Sequence, residues 1–440
     1  MTSTSTRSVL AGAVLTLGAL VGPGCDFNLD DPNRIGADDV FTTRTGLIGA
    51  TIGLQELYNV QALDNVVVVP AITTRELAAN TTFTNLLDLE EGGSAIENTN
   101  SNTTGLFGQL NRVLGFAESI LEGVEQTPTV EPALASGING LAGFYRAVAI
   151  GTMAQNFDRV PLATSDDEDA IYSSNDEAFE EAARQLAEAE AALTARPPNA
   201  AFAATLPAGF DLLNSVRAYR ARYELYAGND QAAIDAANRV TPGATSEFVY
   251  TESAENPLFN VIAESGSSYI GRDNLGLASV QAGDARIDFY TAPLPGLSTN
   301  GLEADAVTGF IDDGEAAPFP VYLPGELSLI RAEALVNLGR LAEAVVQVNA
   351  VRTKTAAQDP FGVGAGLPPY SGPVTAEALR AEVFYNRATE LYLQGLRLVD
   401  SRRLGGPGPG SGPFQRNRNF YPYPFQERIA NPNTPEDPPV

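Results

Sequence analysis

The sequence predicts a mainly α-helical protein in which helical hairpins are separated by long loop insertions. Apolar residues recur at three-to-five-residue steps over several long segments, as they do on the buried face of an α-helix. The stretches between these segments are rich in Gly, Pro, Ser and Asn, which favour turns and loops. With 440 residues, of which 44% are hydrophobic, the chain can bury a large core.

The first residues have the pattern of a bacterial export signal. Arg7 precedes an apolar run over residues 9–21, which is too short to span a bilayer core of roughly 30 Å. The only cysteine, Cys25, follows at the position where a lipoprotein signal carries its lipidated residue. We therefore expect a lipoprotein signal peptide over residues 1–24 and a lipid anchor at Cys25. The turn-rich composition of residues 25–39 predicts an extended linker.

A helical domain is predicted over residues 40–440. Its first half has apolar spacing that predicts helices over residues 40–60, 107–124, 134–157 and 175–195. The last of these begins at Asn175, a favourable N-cap, and ends before Pro197. Residues 80–104 are rich in Asn and Thr and contain a Gly pair, which predicts a loop.

Two later segments repeat one helix–turn–helix pattern. Asp211 predicts the start of a helix, Gly228 its end, and Asp230 the start of a shorter partner; Gly339 stands in the place of Gly228 in the second copy. Small residues at matched positions would let the helices approach closely: Ala221 with Ala332, and Ala233 with Ala344. The copies look like tetratricopeptide hairpins. The helices at 134–157 and 175–195 form a further unit, and the helix at 376–403 belongs to another. The sequence therefore predicts four such units.

The rest of the chain is predicted as loops and a C-terminal unit. The largest insertion covers about residues 241–324 and should hold loops and short strands, and Gly/Pro-rich connectors cover residues 355–375 and 404–425. The C-terminal signature over residues 376–436 combines a long helix, 376–403, with a tail of alternating prolines and aromatics. The prolines should keep the tail extended while Phe420, Tyr421 and Tyr423 pack between helices.

Two sets of side chains are predicted to be structural. Tyr219, Tyr223 and Tyr226 recur at helical spacing, which is typical of a buried helix face. Opposite charges in the C-terminal helix are spaced so that they can pair with one another or with the tail: Arg387, Glu390, Arg397, Asp400, Arg402 and Arg403.

Composition argues against several functions. The formal net charge of −27 disfavours nucleic acid as a partner, because phosphate binding needs clustered Lys and Arg. Without histidine, a Ser-His-Asp nucleophile and a His-ligated metal site are impossible, and a single cysteine excludes an internal disulfide and a multi-cysteine zinc site. With 54 Asp and Glu residues, close carboxylate pairs are expected by chance. The chain is therefore predicted not to be an enzyme and to need neither metal nor cofactor.

Several segments occur in a recognisable order along nearly the whole chain. They are Leu29-Asp30-Asp31-Pro32, residues 144–164, Asp284-Ala285-Arg286-Ile287, residues 322–354, Asn386 to Leu391 with Arg402-Arg403, and the tail over residues 419–436. Together they resemble the SusD/RagB family of lipid-anchored outer-membrane proteins that bind nutrients. The resemblance implies a SusD-like fold.

The resemblance also implies a function. The protein would be a lipoprotein anchored in the outer membrane and exposed at the cell surface. It would bind an oligosaccharide or a peptide and deliver it to a SusC-like TonB-dependent transporter. The alternative is a helical-repeat scaffold lipoprotein that binds another protein through its concave face and no small ligand. A hydrolase that uses paired carboxylates is a third class, but no motif localises such a pair.

The ligand-binding residues are predicted from the loops. In the SusD-like family the ligand face is built from loops away from the anchor, including the loop before the helix at 105–124. A sugar has a flat apolar face and a rim of hydroxyls, which suits an aromatic ring flanked by amides. The candidates are Phe83, Asn85, Asn98, Asn100 and Asn102, with Tyr269 from the large insertion.

Overall fold

Helices make up most of the secondary structure, as the sequence predicts. The computed structural model describes residues 40–164, 169–264, 267–299 and 302–440, and all of them belong to one compact unit. The predictions for the signal peptide, for Cys25, for the linker over residues 25–39 and for the Leu29–Pro32 segment lie outside the described residues. None of the described helices combines the length and apolar composition needed to cross a membrane.

The helices of the described chain are α1 (Arg44–Asn59), α2 (Leu63–Thr73), α3 (Thr84–Glu91), α4 (Ser101–Gln126), α5 (Pro132–Asn156), α6 (Asn175–Ala195), α7 (Ala200–Ala203), α8 (Leu212–Tyr226), α9 (Asp230–Arg239), α10 (Arg286–Tyr290), α11 (Pro324–Asn337), α12 (Leu341–Arg352), α13 (Ala376–Glu390), α14 (Arg397–Arg403) and α15 (Phe425–Ala430). The strands are β1 (Leu77–Ala79), β2 (Arg159–Pro161), β3 (Tyr172–Ser174), β4 (Glu247–Phe248), β5 (Tyr269–Arg272), β6 (Thr291–Thr299), β7 (Leu302–Val307) and β8 (Phe319–Pro320).

The scaffold is a row of helical hairpins. Helices α5 and α6, α8 and α9, and α11 and α12 pack as consecutive pairs; α6 packs on α8, α9 on α11, and α13 on both α11 and α12. Gly228 and Gly339 end the first helices of the last two pairs with φ of 79° and 72°, which a glycine adopts without strain. The small residues predicted to face the partner helix are fully buried: Ala221, Ala233, Ala332 and Ala344. The mainly α, tetratricopeptide-like architecture is therefore confirmed.

The tyrosine stripe on α8 is core, as predicted. Tyr219, Tyr223 and Tyr226 are all buried. The ring of Tyr223 lies directly against Gly151 of α5, where a Cβ would come within 2.2 Å of the Tyr223 Cζ. Glycine at that position lets the two helices approach closely around a large aromatic side chain.

The prediction of a loop over residues 80–104 was wrong in part. Helix α3 occupies Thr84–Glu91, and α4 begins at Ser101 rather than at residue 107. The Asn100 side chain accepts a hydrogen bond from the Asn102 N–H over 3.1 Å and caps α4. The polar composition that favours a loop here also supplies the cap of a helix.

The prediction of one helix over residues 376–403 was also wrong, because the chain breaks between α13 and α14. Leu393 and Gly395 have φ of 55° and 71°, outside the helical region. A Cβ on Gly395 would lie 2.6 Å from the Val66 carbonyl oxygen. The break therefore lets this segment pass closely over α2, which an unbroken helix with side chains could not do.

The large insertion forms most of a small antiparallel sheet. Its strand order is β1-β5-β7-β6, and two further strand pairs are β2–β3 and β4–β8. In the register, Ala79 pairs with Tyr269 and Gly271 with Asp305. Because β1 directly precedes α3 in the chain, this pairing places the insertion beside the start of α3.

The tail packs into the scaffold, as predicted. Tyr421 and Tyr423 are fully buried. The Tyr421 hydroxyl lies 2.7 Å from the Thr73 hydroxyl, and the Tyr423 ring stacks on Phe157 with 6.0 Å between ring centroids. Phe420 is half-buried beneath the Arg402 guanidinium, 4.1 Å from its ring centroid. The tail thus ties α2 and α5 to the C-terminal helices.

The charges of the C-terminal helices pair as predicted only in part, because Glu390 pairs with Arg286 and Lys354, and Arg397 lies 3.6 Å from Glu76. The others pair with one another or with the tail. Arg387 Nε lies 2.8 Å from Asp400 Oδ2, and Arg403 Nη2 lies 2.8 Å from Asp400 Oδ1. Arg402 donates to the carbonyl of Asn419 in the tail over 2.6 Å. These contacts stabilise the junction between α13, α14 and the tail.

Candidate functional site

Three of the predicted amides meet where α3 begins and α4 begins. Asn85 Nδ2 donates to Ser101 Oγ over 3.1 Å and to Asn102 Oδ1 over 3.3 Å. The side chains of Asn100 and Asn102 in turn donate to the Asn85 carbonyl, over 2.8 and 3.1 Å. This cluster fastens α3 to α4. Asn100 uses both ends of its amide in these contacts and is buried, so its first role is structural.

The other two predicted residues of the 80–104 segment lie apart from that cluster. Phe83 is the N-cap residue of α3 and leaves 61% of its surface exposed. Asn98 is half-buried, and its carbonyl accepts from the Phe425 N–H over 3.0 Å, so it lies beside the start of α15. Phe83 therefore presents a free aromatic face, whereas Asn98 lies at the junction with the tail.

Tyr269 begins β5 beside the last residue of β1. The Asn80 N–H donates to the Ser268 carbonyl over 2.7 Å, so β1 and the chain leading to Phe83 are held directly against β5. Burial, together with the nearby Asp64 carboxylate, raises the pKa of Tyr269 to about 12. Its hydroxyl is therefore protonated at neutral pH and can donate as well as accept a hydrogen bond.

A cleft that sequence reasoning missed lies on the side of α3 nearest the C-terminal connector. It has a volume of about 580 Å³ and is lined by Arg75, Leu87, Glu90, Glu91, Arg272, Ser411 and Pro413. Leu87 is 41% exposed and lies one helical turn after Phe83. The exposed apolar edge of α3, defined by Phe83 and Leu87, therefore leads into the cleft.

The polar wall of the cleft is built around Glu90. Its carboxylate forms an ion pair with Arg272 and accepts from the Ala79 N–H over 3.1 Å. Its carbonyl accepts from Arg75 Nη1 over 2.6 Å. Arg75 Nε donates to the Gln415 carbonyl over 3.1 Å, and Arg272 Nε to the Leu77 carbonyl over 3.2 Å. Glu90 thus connects β1, β5 and the end of α2.

The two arginines of this wall, Arg75 and Arg272, are charged side chains that are largely shielded from water. Arg75 and Arg272 are buried, with 5% and 2% of their surface exposed. Burial lowers the pKa of both guanidinium groups, and the positive charge of Arg272 lowers the pKa of Arg75 further. Both remain cations at neutral pH, because the ordinary arginine pKa is far above it. The cleft therefore combines two buried cations with one buried carboxylate.

Arg75 has an unusual backbone conformation. Its φ is 69°, in the left-handed region. The Glu76 N–H donates to the Ala71 carbonyl over 2.8 Å and the Arg75 N–H to the Ile72 carbonyl over 3.1 Å, which is the Schellman pattern at the end of α2. Glycine is the usual residue at this position, and a residue with a side chain pays roughly 1–2 kcal/mol there.

Sequence reasoning could not find this wall. Arg272 comes from a distant part of the chain and meets Arg75 and Glu90 only through the β1–β5 pairing. Arg75 and Arg272 each stand alone in their segment, and a lone arginine does not form a recognisable sequence motif. The described part of the chain contains no group of three or more Cys, Asp or Glu side chains that could hold a metal ion.

A second, smaller pocket lies on the other side of the 404–417 connector. Its volume is about 210 Å³, and its walls include Phe384, Tyr385, Phe414 and Arg416. No predicted ligand-binding residue lines either the pocket or the larger cleft, but the larger cleft adjoins Phe83 through Leu87. The larger cleft and the exposed edge of α3 together are therefore the candidate site.

Comparison with known proteins finds structural relatives only. No protein-family model and no curated protein matches the chain. A SusD superfamily protein from Bacteroides vulgatus shares 18% identity with a TM-score of 0.66, covering 89% of this chain and 98% of that one. One from Bacteroides thetaiotaomicron shares 16% identity with a TM-score of 0.69, covering 90% and 99%. A putative sugar binding protein from Bacteroides vulgatus shares 16% identity with a TM-score of 0.66, covering 90% and 98%.

Proposed function

Because the chain has the SusD fold, we propose that it binds a carbohydrate nutrient reversibly, without making or breaking a covalent bond. The observation that carries this proposal is the exposed edge of α3 leading into a polar cleft, in a chain aligned along nearly its full length with a putative sugar binding protein. The identity of the sugar is a separate question.

The chemistry of the site suits a sugar. Phe83 offers an exposed aromatic face on which the apolar face of a pyranose ring can stack. The Tyr269 hydroxyl is a donor and acceptor on the neighbouring strand, and Asn102 lies at the start of α4. Asn85 lies beside Asn102, to which it donates a hydrogen bond over 3.3 Å, whereas Asn98 lies farther along, at the junction with the tail. A ring platform with amides and a hydroxyl nearby can hold both the face and the rim of a sugar.

The proposal includes a cellular setting. Cys25 would carry a lipid that anchors the protein at the outer-membrane surface, and the ligand would pass to a SusC-like TonB-dependent transporter. The export signal and Cys25 support the anchor, and the likeness to SusD superfamily proteins supports the partner. The anchor would leave residues 40–440 free to cover the transporter.

The test is a binding screen. The purified mature protein, beginning at Cys25, is titrated calorimetrically against a panel of neutral and acidic oligosaccharides and short peptides. We expect saturable binding to at least one oligosaccharide and no cleavage of it, checked by chromatography of the recovered ligand. Binding to peptides alone would contradict the carbohydrate assignment, and release of shortened sugars would contradict the assignment as a binding protein.

A further inference from the structure

We propose that the cleft lined by Arg75 and Arg272 binds the carboxylate of an acidic sugar, so that the ligand is an oligosaccharide containing uronic acid or a similar carboxylated residue. This inference rests on the proposed function and names the class of its ligand. Four observations carry it: unused guanidinium N–H groups, the local charge, the conformation of Arg75, and the shape of the cleft.

Each arginine has a nitrogen that is open to the cleft. Arg75 donates through Nε and Nη1, and Arg272 donates through Nε and Nη2. Arg75 Nη2 and Arg272 Nη1 have no hydrogen-bond partner within the described residues, and neither is among the unpaired atoms sealed from solvent. Since both residues line the cleft, these nitrogens can donate to a bound ligand.

The charge of the cleft favours an anion. The chain has 54 acidic and 27 basic residues, yet here two arginines accompany one buried carboxylate: Arg272 pairs with the Glu90 carboxylate, and Arg75 binds only the Glu90 carbonyl. Glu91 is exposed at the rim, where water screens its charge. An incoming carboxylate would meet two desolvated cations, and burial strengthens such a contact relative to the same contact in water.

The backbone of Arg75 gives the third argument. Arginine stands at the left-handed position of a Schellman motif, where glycine would remove the strain. Strained residues persist where the surrounding structure holds them, and they cluster at ligand sites. The contacts of Arg75 with Glu90 and Gln415 hold its side chain at the cleft wall.

The shape of the cleft favours a carboxylated sugar over a simple anion. A volume of about 580 Å³ is far larger than one carboxylate needs, and Leu87 and Pro413 give it an apolar side. A planar carboxylate matches the fork of a guanidinium group. The sugar ring that carries the carboxylate can then rest against Leu87 and continue toward Phe83.

The test compares an acid with its own neutral ester. Tri-galacturonate, tri-mannuronate and a glucuronate-containing trisaccharide are titrated against the mature protein, each beside its methyl ester. We expect at least one acid to bind about tenfold more tightly than its ester. Raising the salt from about 50 mM to about 500 mM should weaken binding of the acid much more than binding of the ester.

Arg75→Gly is the matched variant, because the backbone of this position favours glycine. It should lower the affinity for the acid about tenfold. The melting temperature is measured beside it, because the variant relieves the backbone strain but loses the two hydrogen bonds of the Arg75 side chain. Arg340→Gln, at an exposed ion pair before α12, is the control and should bind normally. If Arg75→Gly does not fold, Arg75→Lys replaces it; lysine keeps the charge but not the fork, and should also bind the acid more weakly.

The outcomes separate this inference from the proposed function. Equal affinity for acid and ester, or unchanged affinity in the folded Arg75 variant, would overturn the inference while leaving carbohydrate binding intact. Binding of neutral oligosaccharides only would do the same. A tripeptide with a free C-terminus that binds when its amide does not, with no acidic sugar binding, would assign the cleft to peptides. Failure of every oligosaccharide would overturn both.

Discussion

At the scale of single residues, the candidate site divides into groups that hold the fold and groups that are free for a ligand. Asn100 and Glu90 make several contacts each with neighbouring elements and are buried. Phe83 packs little of its surface against the protein, since 61% of it is exposed. A mutation at the first kind of residue should alter stability, and a mutation at the second kind should alter binding.

Phe83→Ala should weaken carbohydrate binding without unfolding the protein. An aromatic contact contributes on the order of 1 kcal/mol beyond simple burial, so about a fivefold loss of affinity is expected. Calorimetric titration of the ligand found in the screen measures it. Val346→Ala removes a similarly exposed apolar side chain on α12 and serves as the control. Equal affinity of both variants and the wild type would show that the sugar does not stack on Phe83.

Asn100→Ala should destabilise the protein instead. It removes the cap of α4 and the hydrogen bond to the Asn85 carbonyl. Loss of an N-cap costs about 1 kcal/mol, and the second hydrogen bond adds to this. Urea unfolding measures the loss, and Asn100→Asp, which retains the capping oxygen, should recover part of it. Full stability of Asn100→Ala would show that the cap contributes nothing.

At the scale of elements, buried ion pairs join the helical hairpins to one another and to the C-terminal helices. Arg222 of α8 makes two hydrogen bonds, of 2.6 and 2.8 Å, with Glu326 of α11. Arg286 of α10 contacts Asn386 over 3.1 Å and Glu390 over 3.3 Å, both on α13. The Asp284–Ile287 and Asn386–Leu391 segments, which resemble family motifs, therefore meet in space as structural contacts.

Asp400→Asn should be strongly destabilising, because it leaves the buried Arg387 guanidinium without its carboxylate. Breaking one partner of a buried ion pair costs about 3–5 kcal/mol. Guanidinium chloride unfolding should show this loss, whereas Glu343→Gln, at an exposed pair with Arg340, should leave stability unchanged. Similar small effects of both substitutions would mean that the α13–α14 junction is not held by this pair.

Deletion of residues 419–440 should lower the melting temperature markedly. The tail buries Tyr421 and Tyr423 between α2, α5 and the C-terminal helices, and its removal would expose these surfaces to water. Removal of Pro439 and Val440 alone, which are exposed, is the control. Differential scanning calorimetry compares the three proteins. An unchanged midpoint in the long deletion would show that the tail is a free linker.

How far the sequence predicts the elements depends on the range of the interactions. Helix periodicity and the Gly-terminated hairpins depend on neighbouring residues, so they could be predicted. The tail packing could be predicted because its aromatic rings would otherwise be exposed to water, although their partners, such as Thr73, lie far away in the chain. The break before Gly395 could not be predicted, because it depends on a close approach to Val66 of α2. The start of α4 is capped locally by Asn100, but the polar composition that supplies this cap also favours a loop. The wall formed by Arg75, Glu90 and Arg272 could not be predicted either, because Arg272 reaches it only through the β1–β5 pairing.

At the scale of the whole molecule, buried tyrosines tie stability to alkaline pH. Burial raises the pKa of Tyr145, Tyr223 and Tyr421 above the ordinary value of 10.0. In the unfolded chain these hydroxyls would ionise near that value, so the unfolded state loses protons first as the pH rises. The stability that the protonated tyrosines provide is therefore complete below pH 10.0 and is lost above it.

The free energy of unfolding should therefore fall steadily as the pH rises above about 10. Urea titrations at constant ionic strength measure it, and the ultraviolet absorbance of tyrosinate should rise together with unfolding rather than before it. Full ionisation of the tyrosines in a protein that is still folded would contradict the burial of these side chains.

The whole molecule also offers two surfaces that the candidate functions use differently. A carbohydrate-binding protein would use the edge of α3 and the cleft beside it. A protein scaffold would use the two hairpins α8–α9 and α11–α12, whose helices pack side by side. The two sets of elements do not overlap, so a method that locates protection along the chain can tell the functions apart.

Hydrogen–deuterium exchange of the mature protein, with and without the oligosaccharide from the screen, tests carbohydrate binding at this site most directly. We expect the ligand to slow exchange in α3, at the start of α4, and in β5, with Arg75→Gly reducing the effect. Slower exchange confined to the hairpins α8–α9 and α11–α12, with α3 and β5 unchanged, would contradict the proposed site and favour the scaffold.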